Sequence, residues 1–307
     1  MPVAFVTHPH CLLHRMGEDH PEQPARLGAI EDELHVRGLY DLLLHREAPR
    51  ATVEQLLRVH PLRYIEELAD RSPAEGFSRI DPDTWMCPDT FEAALRAAGA
   101  NVLAVDLVLG GVAKRAFCNV RPPGHHAEHA TAMGFCFFNN VAIAARHALD
   151  HHGLERVAIL DFDVHLGNGT EEVLRDDARV LLCSSYQYPL WPELDPPSVP
   201  GRIVNSPLPP GSTGEAFRRA VERDWLPALE AFGPELVLIS AGFDAHAADD
   251  MSHLRFATAD YGWVTDFACG IADRHARGRV VSTLEGGYEL RSLAASAAAH
   301  IERLLLA

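Results

Sequence analysis

Asp161, Asp163 and His165 occupy alternate positions in the run Asp161-Phe162-Asp163-Val164-His165. Alternate side chains of an extended segment can point to one side, so a carboxylate and an imidazole two apart can grip one cation. Asp244, within Gly242-Phe243-Asp244-Ala245-His246, brings a further oxygen donor from elsewhere in the chain. Asp163, His165 and Asp244 then offer three N/O ligands and leave a position open for water, the pattern of a catalytic rather than a structural zinc site. Two carboxylates with one histidine also suit Fe(II) or Mn(II). The competing reading makes these residues strand-end caps and polar core groups.

Two more stretches carry chemistry. His125 and His126 follow Pro122-Pro123-Gly124, a rigid turn presenting two imidazoles that are costly to bury unless each has a partner. Asp161 and Asn168 are available as a carboxylate and an amide partner. Glu285-Gly286-Gly287-Tyr288 sets a phenol after a flexible turn, where it can donate to a developing oxyanion or serve as a core tyrosine at a helix start. Other candidates are weaker. His151-His152, ahead of Gly153, reads as a solvated helix end, and Gly167-Asn168-Gly169-Thr170 lacks the G-K-[ST] of a phosphate loop.

What positions these residues is an alternation of short β-branched runs with Ala/Leu/Arg-rich stretches of helical spacing. It predicts strands near 3–7, 115–120, 156–161, 179–183, 235–240 and 279–284. Helices are predicted near 24–37, 52–70, 89–109, 139–152, 169–175, 213–231, 258–276 and 289–306. Strand alternating with helix signals an α/β fold: a central, mostly parallel sheet covered on both faces, hence three α/β/α layers. No linker or composition break divides the chain, so a single domain over 1–307 is expected. Ligands of such sheets bind beyond the carboxyl ends of the strands. Five predicted strand ends deliver His125-His126, Asp161 to His165, Ser184-Ser185, Asp244 and Tyr288 to that edge. Tyr188 to Pro210, with eight prolines, reads as a functional rim or lid, as do His8 to Gln23 and Ser72 to Pro88.

The balance of 27 basic against 43 acidic residues gives a formal charge of −16, which disfavours nucleic-acid and anionic-membrane partners. Six cysteines lie scattered without a C-x-x-C pair, which suggests buried thiols in a reducing compartment. With no leader-like start and no apolar run of about 18 residues, a cytoplasmic location is expected.

Taken together, the stretches R-P-P-G-H-H-A at 121–127, G-F-C-F-F-N-N at 134–140, D-F-D-V-H-L-G-N-G-T at 161–170, P-L-P-P-G-S at 207–212, G-F-D-A-H at 242–246 and L-E-G-G-Y at 284–288 resemble the zinc-dependent histone deacetylase family. The likeness is greatest to its class II and bacterial members, within the arginase/deacetylase superfamily. His20-Pro21-Glu22 with Arg26-Leu27 extends it over nearly the whole chain. The resemblance implies the arginase/deacetylase fold, with Asp163, His165 and Asp244 as zinc ligands and Tyr288 as the carbonyl-polarising phenol. It implies His126 as general base and then acid, oriented by Asn168, and His125 paired with Asp161 as electrostatic partner. Gly134 would accept the substrate amide N–H through its carbonyl, with Phe135 and Trp191 walling an acyl-lysine channel. A potassium ion would lie close to the zinc, at Asp161, Asp163, His165, Ser184 and Ser185.

Two positions depart from the family pattern. Leu166 stands where many members have a second histidine, so altered packing is expected there. Met251 stands where polyamine-selective relatives carry a glutamate, seven residues after Asp244. The leading reading is therefore an amidohydrolase that removes acyl groups from the ε-amine of lysine in a peptide or protein. The alternative is an acetylpolyamine amidohydrolase, for which Glu18, Asp81 or Asp83 would have to replace the missing rim carboxylate. A two-manganese ureohydrolase is disfavoured because its D-x-H-x-D run needs an aspartate at Gly167, and intact His125, His126 and Tyr288 argue against a catalytically silent acyl-lysine or zinc-binding module.

Overall fold

The apolar runs form strands that are buried along their whole length, as required where helices cover both faces of a parallel sheet. The computed structural model describes residues 1–307. In chain order the elements are β1 (Val3–Thr7), α1 (Ala25–Val36), β2 (Leu44–Glu47), α2 (Val53–Leu56), α3 (Leu62–Arg71), β3 (Ser78–Arg79), β4 (Trp85–Met86), α4 (Thr90–Leu109), β5 (Arg115–Cys118) and α5 (Asn140–Asp150). There follow β6 (Val157–Asp161), α6 (Asn168–Leu174), β7 (Val180–Gln187), β8 (Ile203–Leu208), α7 (Gly214–Ala220), α8 (Leu226–Phe232), β9 (Leu236–Ala241), α9 (Thr258–His275), β10 (Val280–Leu284) and α10 (Leu290–Leu306).

Eight strands form one sheet in the order β2-β1-β5-β10-β9-β6-β7-β8, and every pairing in it is parallel. Helices α1, α9 and α10 pack together on one face and α4 with α5 on the other, the three-layer α/β/α arrangement expected. Ala-rich α4 and α10 bury Ala94, Ala97, Ala98, Ala297 and Ala298, which lets each helix lie close to its face of the sheet. All six cysteines are buried free thiols. No helix is long and apolar enough to cross a membrane.

The differences from the predicted elements lie at the edges and at prolines. Both edge strands escaped the periodicity argument. Strand β2 reads Leu44-His45-Arg46-Glu47 and leaves three of its four residues exposed, so it has no apolar run to detect. Strand β8 runs through the segment read as loop. Its Pro207 pairs opposite Tyr186 of β7, which is tolerated because an edge strand has one side without a ladder to supply. The helix predicted over 52–70 is two helices, with Pro61 starting the second. That predicted over 213–231 is interrupted by a π-helical turn, Val221–Trp225, just before Pro227. Within Ser72 to Pro88, β3 and β4 form a two-stranded antiparallel hairpin.

A buried ion network ties the N-terminal loop to the sheet. Glu22, Arg26, Arg121 and His14 are each fully buried. Arg121 grips Glu22 with two N–H groups, one at 2.6 Å, and donates to the carbonyls of Cys11 and His14 at 2.9 and 3.1 Å. Arg26 donates to Glu22 at 3.0 Å and to the carbonyl of Gly287 at 2.6 Å. Burial alone would raise the Glu22 carboxyl, but Arg121, His14 and Arg26 outweigh it and hold the group well below its ordinary range. Removing one partner of a buried pair strands the opposite charge, at about 3–5 kcal/mol. Glu22→Leu, which strands two guanidinium groups, is expected to lower unfolding stability by about that amount in urea titrations, and a loss under about 1 kcal/mol would contradict this account.

Candidate active site

Strands β5, β10, β9, β6 and β7 are consecutive neighbours in the sheet. Because all five run parallel, the segments following them meet at one edge. Asp161 is the last residue of β6, and the expected extended alternation stops there. Beyond it the chain turns, held by carboxylates that accept N–H groups two residues on: Asp161 from Asp163 at 3.1 Å, and Asp163 from His165 at 2.9 Å. The turn separates the three side chains. Asp161 reaches back to His125 Nδ1 at 3.1 Å, while Asp163 and His165 face Asp244. His165 Nδ1 stands 3.1 Å from Asp163 Oδ1 and 3.3 Å from Asp244 Oδ2.

Asp163, His165 and Asp244 bring one ligand atom each to within 4.8 Å of the others. Asp244 Oδ1 accepts from the N–H of Val164 at 3.0 Å, and Asp163 Oδ2 from that of Gly286 at 2.8 Å. Asp244 Oδ2 is buried without any hydrogen-bond partner. Burial and the adjacent Asp163 push the Asp244 carboxyl up to about 6. Two buried carboxylates, one imidazole and an unsatisfied oxygen form a donor set that fits a divalent cation.

The two adjacent histidines differ electrostatically. Burial would lower His125, but Asp163 and Asp161 outweigh it and push the imidazole up to about 10. His126 has an amide partner instead, its Nδ1 lying 2.8 Å from Asn168 Oδ1. Burial and the charges of His125 and His165 hold His126 well below its ordinary value. Tyr288 is pushed well above the usual phenol range by burial and by Asp244, so it keeps its proton and remains a donor.

His126, Gly134, Phe135, His165, Trp191, Met251 and Tyr288 line one cavity of about 310 Å³, together with Leu190 and Asp83. Trp191 packs edge-on against His126 with ring centroids 4.7 Å apart, and Phe135 meets Tyr288 at 5.9 Å. Gly134 has φ +56°, and a Cβ there would lie 2.6 Å from Trp191 and 2.7 Å from His126, so only glycine fits this wall. Gly167 is equally confined, since a Cβ would lie 2.5 Å from Asp161 Oδ2. An aspartate cannot occupy that position as the chain stands. Ser184 and Ser185 lie on β7, with Ser184 beside Asp161 in the ladder, and Ser184 Oγ is buried without a partner. Leu166 is buried.

Three supporting residues were not assigned roles from the sequence. Glu285 accepts from the backbone N–H groups of Gly124 and His125 at 2.7 and 3.1 Å and so fixes the di-histidine turn. Burial pushes its carboxyl up to about 7. Arg26 spreads its guanidinium 5.0 Å from the Tyr288 ring centre. Asp249 accepts from the N–H groups of Tyr288 at 2.6 Å, Glu289 at 3.0 Å and Met251 at 3.1 Å. Glu285 and Arg26 sit inside stretches whose pattern was legible, whereas Asp249, next to Asp250, looks like ordinary loop charge.

A second histidine group, Asp106, His147, His151 and His152, lies away from this edge. His151 and His152 are exposed as expected, yet His152 and His147 both approach Asp106 Oδ1 at 2.7 Å. Arg58 donates to His147 Nδ1, which leaves the ring proton on Nε2, directed at Asp106. Asp106, His147 and His152 therefore pair with one another, and His151 only stacks on His147.

Residues 20–304 match the family model described as the histone deacetylase domain. The chain is 41% identical to the histone deacetylase-like amidohydrolase of Pseudomonas aeruginosa, over 88% of this chain and 72% of that one. It is 37% identical to the polyamine deacetylase HDAC10 of Mus musculus, over 99% of this chain but only 48% of the mouse protein. The crystal structure of the HDA15 HD domain superposes with a TM-score of 0.92 at 33% identity, over 99% of this chain and 91% of that one. With the family model spanning nearly its full length and the fold shared, the chain belongs to the histone deacetylase family.

Proposed function

We propose that the chain, as one catalytic domain over 1–307, is a zinc-dependent amidohydrolase that removes acetyl or other acyl groups from the ε-amine of lysine. The observation that carries this reading is a buried Asp₂His donor set with an unsatisfied carboxylate oxygen, opening onto an aromatic-walled cavity that also holds a neutral imidazole and a phenol. Asp163, His165 and Asp244 would hold the ion. When bound, it supplies a polarised acyl carbonyl and a water whose pKa is lowered toward neutrality. Ser184 and Ser185, with Asp161, Asp163 and His165, are assigned to potassium, a reading supported by the unpartnered Ser184 hydroxyl.

The chain's own groups then have distinct tasks. His126, neutral because of burial and the charge of His125, takes the proton of the attacking water and returns it to the leaving amine. His125, held protonated against Asp161 and Asp163, favours the negative charge that develops on the acyl oxygen. Tyr288 donates a hydrogen bond to that oxygen. The Gly134 carbonyl accepts the substrate N–H, and Phe135 and Trp191 enclose the alkyl stem.

The rim supports a peptide substrate over a free polyamine. A polyamine carries several ammonium groups that need carboxylates at the mouth, and Met251 is apolar. Asp83 lines the same cavity, and it is the observation that favours the polyamine alternative.

Asp244→Ala is expected to lose most of the metal and essentially all activity while the circular dichroism spectrum stays native, because an open site contributes less to folding than a closed one. Metal analysis of the native protein should give one transition ion per chain, and two would contradict the confinement at Gly167. Tyr288→Phe should lower kcat by about 10² to 10³ with metal content unchanged, a role disproved by activity within threefold of the native enzyme. His126→Ala should be more damaging than His125→Ala, and the reverse order would exchange their roles. Steady-state kinetics should give a higher kcat/KM for an acetyl-lysine peptide than for N8-acetylspermidine. A tenfold preference for the polyamine, about 1.4 kcal/mol, would overturn the substrate assignment, and Met251→Glu should move the ratio toward the polyamine.

A further inference from the structure

We infer that Glu128 is a positioning residue that sets the tautomer of His126 through the side-chain amide of Asn168. The inference rests on the proposed role of His126 as the base. Asn168 is buried and makes two kinds of contact. Its Oδ1 lies 2.8 Å from His126 Nδ1, and its Nδ2 lies 3.0 Å from Glu128 Oε1 and 3.5 Å from Met133 Sδ.

The two ends of an amide have nearly the same shape, so their partners decide which end points where. Both groups beside Nδ2, a carboxylate and a thioether, can only accept. Reversing the amide would set its oxygen 3.0 Å from a carboxylate oxygen, two acceptors in contact. Glu128 therefore commits Asn168 to present its oxygen to the imidazole. An oxygen there requires a proton on His126 Nδ1, and a neutral imidazole has only one N–H. The lone pair is left on Nε2, the nitrogen free to take the water's proton. Without Glu128 the amide can turn its NH₂ group to Nδ1, and the proton then sits on Nε2, where it blocks base catalysis.

Glu128 is well placed for this task. Its own N–H donates to the carbonyl of Thr131 at 3.0 Å, and the next N–H, of His129, donates to Glu172 at 2.9 Å. The carboxylate stands in the wall of a separate cavity of about 430 Å³ that also borders Leu166 and Asn168. It touches neither the substrate cavity nor the metal ligands, so it acts only through Asn168.

The test uses the zinc-loaded protein with ¹⁵N-labelled histidine. Long-range ¹H–¹⁵N spectra should show His126, identified by its loss in His126→Ala, as the pure Nδ1–H tautomer. Glu128→Leu should populate the Nε2–H form and lower kcat at least about tenfold, part of the 10² to 10⁴ that a positioned base contributes, at unchanged KM and metal content. Glu128→Gln, which offers an amide oxygen to the same Nδ2, should recover most of that loss. In an Asn168→Leu background, Glu128→Leu should cost nothing further. An unchanged tautomer, a loss carried by KM, a glutamine variant as impaired as the leucine one, or an additive double variant would each overturn the inference. If the native enzyme hydrolyses no acyl-lysine or acetylpolyamine substrate, the proposed function fails, while the spectra still report whether Glu128 sets the tautomer.

Discussion

Four carboxylates, Asp161, Asp163, Asp244 and Glu285, are buried side by side at the carboxyl end of the sheet, and the surrounding structure is organised by the cost of keeping charge there. An uncompensated buried ion costs several kcal/mol even after relaxation. Each carboxylate has therefore collected donors: His125 and a backbone N–H for Asp161, His165 and Gly286 for Asp163, Val164 for Asp244, Gly124 and His125 for Glu285. The donors run out at Asp244 Oδ2. A site that satisfies every carboxylate oxygen but one, and places that one beside an imidazole and a second carboxylate, is incomplete in the way a cation completes.

The parallel sheet makes this concentration possible. Antiparallel neighbours would send alternate strand ends to opposite edges, whereas β5, β10, β9, β6 and β7 deliver five consecutive ends to one. The loops beyond those ends still need fixing, and the Glu22, Arg26 and Arg121 network does so from outside. It is anchored in the N-terminal loop and reaches the segments after both β5 and β10, with Arg26 holding the Gly287 carbonyl next to Tyr288. The charge cluster and the ion network thus brace the same two loops from opposite sides.

Much of this was legible in the sequence, because strands buried on both faces must be apolar and residues at their ends need not be. The central strands and the residues after them followed from that contrast. What escaped had no such contrast. Strand β2 is polar at an edge, β8 lies among prolines, and Asp249 acts on backbone N–H groups 39 and 40 residues away in sequence, which no local pattern encodes. The extended alternation of Asp161, Asp163 and His165 anticipates that the three lie near one another, but by an incomplete argument. The turn after Asp161 separates them, so that Asp161 serves His125 while the other two face Asp244.

The adjacent histidines show how little sequence distance matters once burial is complete. Their rings lie 3.9 Å apart, and an imidazolium at one position opposes a charge at the other. Which of them is charged is decided by the groups around each ring. Asp163 and Asp161 together stabilise an imidazolium at His125, far more than the neutral amide of Asn168 does at His126. Once His125 is charged, it further depresses the basicity of His126. Carboxylates beside one ring and an amide beside the other thus make two identical side chains a fixed positive charge and a neutral imidazole, the division of labour that the proposed hydrolysis uses.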